Sequence, residues 1–143
     1  MVLYARDIVE RDFISLKPTT TVYEASRVMN ERKHGFVIIS SPDGKPDGIV
    51  TEWDILSKVV AQGRDPSSVN LQEIMSGNLV SVNSDDGIAH VAQVMADRGI
   101  RRVLVVKGTE VLGVITAKTV LSRLKEYVDK VSAQISRLQA PWF

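Results

Sequence analysis

The chain has 143 residues, 44% of them hydrophobic and 24% charged, values close to globular averages that exclude disorder as a general description. Eighteen basic against 17 acidic residues leave a formal net charge of +1, too balanced for a domain held by charge on nucleic acid or anionic membrane. The absence of cysteine excludes a disulfide scaffold, thiolate catalysis and sulfur-ligated zinc.

Arg6, Asp7 and Glu10 interrupt the N-terminal stretch, so no signal-peptide apolar core forms there. Apolar runs such as residues 36–39 and 103–106 are short, far below the roughly 20 residues that cross a bilayer. These features predict a cytoplasmic protein with no membrane partner, and nucleic acid is not expected as a partner either.

Along the chain, residues 14–16 alternate as a short half-buried strand does. Thr21 opens a helix whose apolar residues Val22, Ala25, Val28 and Met29 recur at three- and four-residue spacing. Gly35, just past its end, is expected to form the left-handed cap. An apolar strand from Phe36, a turn at Pro42-Asp43-Gly44 and a second strand ending at Thr51 come next, and a further helix starts at once. Residues 63–70, with Pro66, Ser67 and Ser68, read as a polar connector.

The same series then returns. Residues 80–82 predict a strand, and Ile88, Val91, Ala92, Val94 and Met95 a helix closed by Gly99. A strand at 103–106, a turn at Lys107-Gly108 and a strand ending at Thr116 precede a last helix running to about Gln139. A shift of 66 residues lays one series on the other: Ile8 on Ile74, Ser15 on Ser81, Met29 on Met95, Val37 on Val103. After a hairpin one residue shorter, Gly48-Ile49-Val50-Thr51 falls on Gly113-Val114-Ile115-Thr116. The unit is strand, helix, strand, strand, helix. One unit of about 60 residues has a marginal core alone. The expected fold is therefore α/β (α+β), two such repeats packed with pseudo-twofold symmetry around two grooves. The divisions are residues 1–62, a linker 63–70, residues 71–125, and a C-terminal extension 126–143.

These residues resemble a tandem pair of cystathionine β-synthase (CBS) domains, a Bateman module. The carriers are Asp7-Ile8-Val9, Glu73-Ile74-Met75, the helix pattern around Ala25 and Met29, and Gly-Ile-Val-Thr-x-x-Asp-Ile-Leu at 48–56. The resemblance covers roughly residues 4–125. It implies a stand-alone regulatory module that binds AMP, ADP or ATP, or S-adenosylmethionine, between the repeats. It also implies that the chain senses ligand on behalf of an unidentified regulated protein and has no catalysis of its own. A ligand-free interaction or scaffold module is the alternative.

Thr51-x-x-Asp54 has two readings. Thr51 at the start of a helix, with an acid three residues on, is the pattern of a capping box. The same helix start can offer amides and the Thr51 hydroxyl to a phosphate, and a nearby carboxylate can hold ribose hydroxyls. The resemblance assigns Thr51 and Asp54 these phosphate and ribose roles. In the second repeat Thr119 stands where Asp54 does and cannot accept two hydroxyls as a carboxylate can, so Thr116 marks a weaker second site. Arg101 and Arg102 read as solvated cations at a strand entry. The resemblance instead turns them, with Lys118, toward phosphates. It places Leu16, Gly35 and Phe36 at the adenine.

Neither a P-loop nor a nucleophile elbow occurs. His34 and His90 lack metal-site spacing and read as surface residues, so no metal is expected. Trp53 faces solvent or a partner subunit. Leu121, Leu124, Val128, Val131, Ile135 and Leu138 form a seam at heptad spacing. The seam either packs on its own domain or joins a homodimer, and a homodimer is expected, with Pro141-Trp142-Phe143 as extra apolar surface.

Overall fold

A computed structural model describes residues 3–138. Its contacts divide the chain into two compact units: Asp12–Val80, and the residues up to Arg11 together with those from Ser81 on. Each unit is a mixed α+β body built on its own three-stranded sheet.

In the first unit, β1 (Ser15–Leu16) runs parallel to β2 (Phe36–Ser40), and β2 pairs antiparallel with β3 (Pro46–Thr51). The helix α2 (Val22–Arg32) starts where the Thr21 hydroxyl accepts the Glu24 amide at 3.1 Å, the expected cap. It buries Val22, Ala25 and Met29 against Val37, Ile39 and Val50 of the sheet. The left-handed cap belongs to Lys33 (φ 55°) and not to Gly35. Under the 66-residue shift Lys33 is the counterpart of Gly99, so the same turn closes both helices without glycine in the first. After β3 comes α3 (Glu52–Ile55), continued by a π-helical stretch, Leu56–Val60.

The stretch expected as a connector is held in place. Asp65 caps a 3-10 turn at Pro66–Ser68, and the Val22 amide donates to the Val69 carbonyl at 2.8 Å. Val69 and Leu71 belong to the core. Burial of such side chains is worth about 1.5–3 kcal/mol each, which orders this segment onto the unit.

The second unit repeats the plan. Its strands β4 (Ser81–Asn83), β5 (Arg102–Lys107) and β6 (Glu110–Thr116) pair in the same parallel-then-antiparallel order. Its helices are α5 (Ile88–Arg98), closed by left-handed Gly99, and α6 (Ala117–Ser136). Gln139 and the Pro141-Trp142-Phe143 tail lie outside the described residues.

The short helices that precede each repeat are exchanged. The helix α1 (Ala5–Ile8) leads the first repeat in sequence but belongs to the second unit. There Glu10 and Val114 exchange backbone hydrogen bonds of 2.9 and 3.0 Å. The helix α4 (Leu71–Ile74) leads the second repeat but sits in the first unit, where Ile49 and Ser76 exchange two bonds of 3.0 Å. Each leading segment thus satisfies edge groups of the sheet that its own repeat does not contain.

Candidate functional site

Phe36 is 8% exposed and lies opposite Thr51 in the β2–β3 register. The Gly35 carbonyl accepts the Glu52 amide at 3.0 Å, which fixes the start of α3 beside that end of the sheet. There the Thr51 hydroxyl accepts the Asp54 amide at 3.2 Å. Asp54 Oδ2 accepts from the Thr51 amide at 2.9 Å and from its hydroxyl at 3.1 Å. The capping reading of Thr51-x-x-Asp54 is therefore realised in full, and two amides of the first turn are already engaged.

The remaining carboxylate oxygen also has a partner. Lys58 Nζ lies 3.1 Å from Asp54 Oδ1 and donates to the Ile74 carbonyl at 2.8 Å. The Asp54 side chain keeps 15% of its exposure and that of Lys58 45%. Lys58 was absent from the sequence expectations, although the Asp-to-Lys spacing of four residues on one helix is the signal for such a pair. Bonded by both oxygens, Asp54 is a fixed acceptor of defined orientation.

The second unit builds the equivalent corner differently. The Thr116 hydroxyl accepts the Thr119 amide at 3.2 Å and lies 3.0 Å from the Thr119 hydroxyl. The Thr119 hydroxyl donates to the Glu10 carboxylate, so the leading segment brings an acid to the corner that lacks an aspartate. Only the exchange of leading segments brings Glu10 here, and no local pattern announces it.

Arg102 opens β5 opposite Thr116 and is half-buried, while Arg101 is exposed and its carbonyl accepts the Ala117 amide at 2.8 Å. Lys118 is exposed in the first turn of α6. The second unit thus gathers Arg101, Arg102, Thr116 and Lys118 at one end of its sheet. The first unit gathers Gly35, Phe36, Thr51 and Asp54. Leu16 stands apart from that set: it pairs with Ile39, three residues or about 10 Å along the strand from Phe36. Trp53 is 70% exposed. Among the described residues, no three His, Asp or Glu side chains converge as a metal site would require, and no helix is long and apolar enough to cross a membrane.

Each unit also carries an open groove between its long helix and the helix that follows the last strand. The first, about 470 Å³, is lined by Ser26, Asn30, Lys33, His34 and Glu52 along with Met29 and Ile55. The second, about 390 Å³, is lined by Ala92, Met95, Ala96, Ile100, Val120 and Leu121 among others.

The CBS domain family model matches residues 5–61 and again residues 71–126. The chain belongs to the CBS domain family. As a CBS pair it is 31% identical to a protein of Methanopyrus kandleri over 93% of this chain and 68% of that one. The hexameric CBS-CP12 protein from bloom-forming cyanobacteria is 37% identical, with a TM-score of 0.77 over 85% of this chain and 67% of that one. A CBS domain pair solved in complex with 5′-methylthioadenosine and S-adenosyl-L-methionine is 28% identical, with a TM-score of 0.76 over 88% of this chain and 98% of that one.

Proposed function

We propose that this CBS pair is a regulatory module that binds an adenosyl ligand, with AMP, ADP and ATP as the expected ligands and S-adenosylmethionine in the same class. Its occupancy is read by an associated protein, and it performs no catalysis. The observation that carries this reading is the structural match, over nearly the whole length of both chains, to a CBS pair that holds two adenosyl compounds. The orientation of Asp54 supports it: a carboxylate held by Thr51 and Lys58 is pre-arranged to accept ribose hydroxyls, and pre-arrangement reduces the ordering cost of binding. In this proposal Thr51 and Asp54 serve ribose and phosphate, Gly35 and Phe36 the adenine side, and Arg101, Arg102 and Lys118 supply positive charge to phosphates.

One observation favours the scaffold reading. Both Asp54 oxygens are already bonded within the protein, so the tetrad has a structural use that needs no ligand. A thermal-shift screen of AMP, ADP, ATP, S-adenosylmethionine and NAD separates the two. Ligand at 100 times its Kd adds about 2.7 kcal/mol, and each kcal/mol raises Tm by about 2–4 °C for a chain of this size. No shift with any adenosyl compound at millimolar concentration leaves the scaffold reading.

A further inference from the structure

Resting on the adenosyl reading above, we propose that Glu10 is the hydroxyl acceptor of a second, weaker adenosyl site at the corner formed by Thr116 and Thr119. There it takes the part that Asp54 takes in the first site.

The two corners carry the same pair of groups in exchanged places. Asp54 and Thr119 are each the third residue of the helix that follows the last strand. Ser76 and Glu10 are each the residue of a leading segment that exchanges two backbone hydrogen bonds with that strand, through Ile49 and Val114. The first corner therefore has its carboxylate on the helix and a hydroxyl residue on the leading segment. The second has the hydroxyl on the helix and the carboxylate on the leading segment. Thr119 alone cannot accept two ligand hydroxyls, whereas a carboxylate can. Glu10 supplies the group that this helix lacks.

Hydrogen counting gives the second corner a direction. Each threonine hydroxyl has one hydrogen to donate. That of Thr119 goes to Glu10 Oε1. Across the 3.0 Å between the two threonines, Thr116 therefore donates and Thr119 accepts. The series ends on the carboxylate, and bonds in such a series strengthen one another. Among the described residues the other oxygen, Oε2, accepts no hydrogen bond and Glu10 meets no cation. Its charge and lone pairs stay open to a ligand hydroxyl. Asp54 instead holds Lys58 at 3.1 Å, while the repeat counterpart of that lysine, Arg123, turns to Glu126 at 3.6 Å.

The mounting of the acceptor ranks the two sites. Asp54 is fixed by Thr51 and Lys58, whereas Glu10 is exposed and its side chain has one hydrogen bond. Ordering the longer, freer side chain on binding costs more entropy, so the Glu10 site is the weaker.

Adenosine, which carries the hydroxyls and no phosphate, is the probe. Titration calorimetry of the full chain should resolve two unequal sites. At the weaker one, 2′-deoxyadenosine, short of one hydroxyl, should bind at least fivefold less tightly. Glu10→Gln keeps the shape and the bond from Thr119 but sets a donor at one of the two acceptor positions. It should weaken the second site at least tenfold and leave the first within twofold, with an unchanged melting temperature in the absence of ligand. Adding Thr119→Asp, which returns the acid to the helix as in the first repeat, should recover the second site. A single site in the wild type, or a second site that Glu10→Gln leaves untouched, overturns this inference while the adenosyl reading stands. Equal binding of adenosine and 2′-deoxyadenosine at the second site, or a folded double variant that fails to recover it, also overturns the inference. If neither corner takes adenosine, AMP or ATP, the adenosyl reading falls and this inference falls with it.

Discussion

Lys58 and Asp54 form an ion pair of 3.1 Å in which the lysine also closes on the Ile74 carbonyl at 2.8 Å. The carboxylate that caps α3 is thereby tied to the leading helix α4. One side chain joins the cap, the π-helical stretch and the exchanged segment. Lys58→Met should lose a charge-assisted hydrogen bond and leave Asp54 partly buried without its cation. Because the lysine is nearly half exposed, solvent screening limits the cost to about 1–2 kcal/mol. Thermal denaturation should show a fall in Tm of several degrees, at about 2–4 °C per kcal/mol. An unchanged Tm would mean that the pair is a surface contact without energetic weight.

Asp54→Ala is expected to weaken adenosyl binding by about 10- to 150-fold, the loss of a charged hydrogen-bond acceptor. It also removes a cap and costs about 1 kcal/mol of stability, so calorimetry should be run well below its Tm. Thr119→Ala should leave the strong site nearly unchanged. Two equal sites, or wild-type affinity in Asp54→Ala, would return the tetrad to a purely structural role.

Much of the site's local geometry was legible because it is local. Thr51 and Asp54, or Thr116 and Thr119, lie within one helical turn, and a cap pattern of that span can be read directly. Lys58 was equally readable by spacing. The Glu10–Thr119 contact was not: it joins the two ends of the chain and depends on which sheet the leading segment docks against. The elements were legible through periodicity and turn residues, including the hairpins at Gly44 and Gly108, which adopt φ of 84° and 62°. The cap at Lys33 is hidden because glycine is the residue that usually marks a left-handed helix end, although the repeat alignment sets Lys33 beneath Gly99. The anchoring of the connector 63–70 is hidden for a related reason: its polar composition masks Val69, which is almost completely buried.

The hairpin at residues 41–45 carries a pH signal. The Ser41 hydroxyl and the Lys45 amide both donate to the Asp43 carboxylate. These bonds hold its carboxyl below the ordinary value of 3.8. A depressed folded-state pKa stabilises the fold above the unfolded value, and that contribution is lost as pH falls through the folded one. Carbonyl chemical shifts should show Asp43 titrating below pH 3.8, and Ser41→Ala should move the midpoint upward. An identical midpoint in the variant would assign the shift to another source.

Raising ionic strength should weaken the binding of ATP more than that of adenosine, since screening acts on exposed charges such as Arg101 and Lys118. Arg102→Ala should follow the same order, weakening ATP or AMP and hardly touching adenosine. Titrations of the three ligands at two salt concentrations would decide it. Equal losses for adenosine and ATP would remove the arginine from the phosphate role.

At Gly113 the exchanged segment passes close against the sheet. A Cβ there would collide with the Glu10 carbonyl and lie 2.8 Å from Val9 Cγ2. At Gly48, its counterpart, a Cβ would lie 2.8 Å from both Met75 Sδ and the Ser76 carbonyl. Met75 Sδ belongs to a flexible side chain that can give way. The Ser76 and Glu10 carbonyls cannot, because each accepts an amide of its sheet at 3.0 Å, from Ile49 and Val114. The Glu10 carbonyl, however, stands closer to its Cβ position than the Ser76 carbonyl does. Overpacking of this kind costs about 1–3 kcal/mol, so Gly113→Ala should lower Tm by more than Gly48→Ala does. Hydrogen exchange gives the local readout. In Gly113→Ala the Glu10 and Val114 amides should lose protection, while those of Ile49 and Ser76, in the other unit, keep theirs. If protection instead falls equally at all four amides, the damage is global and the close approach of Glu10 to Gly113 is not what holds the leading segment in place.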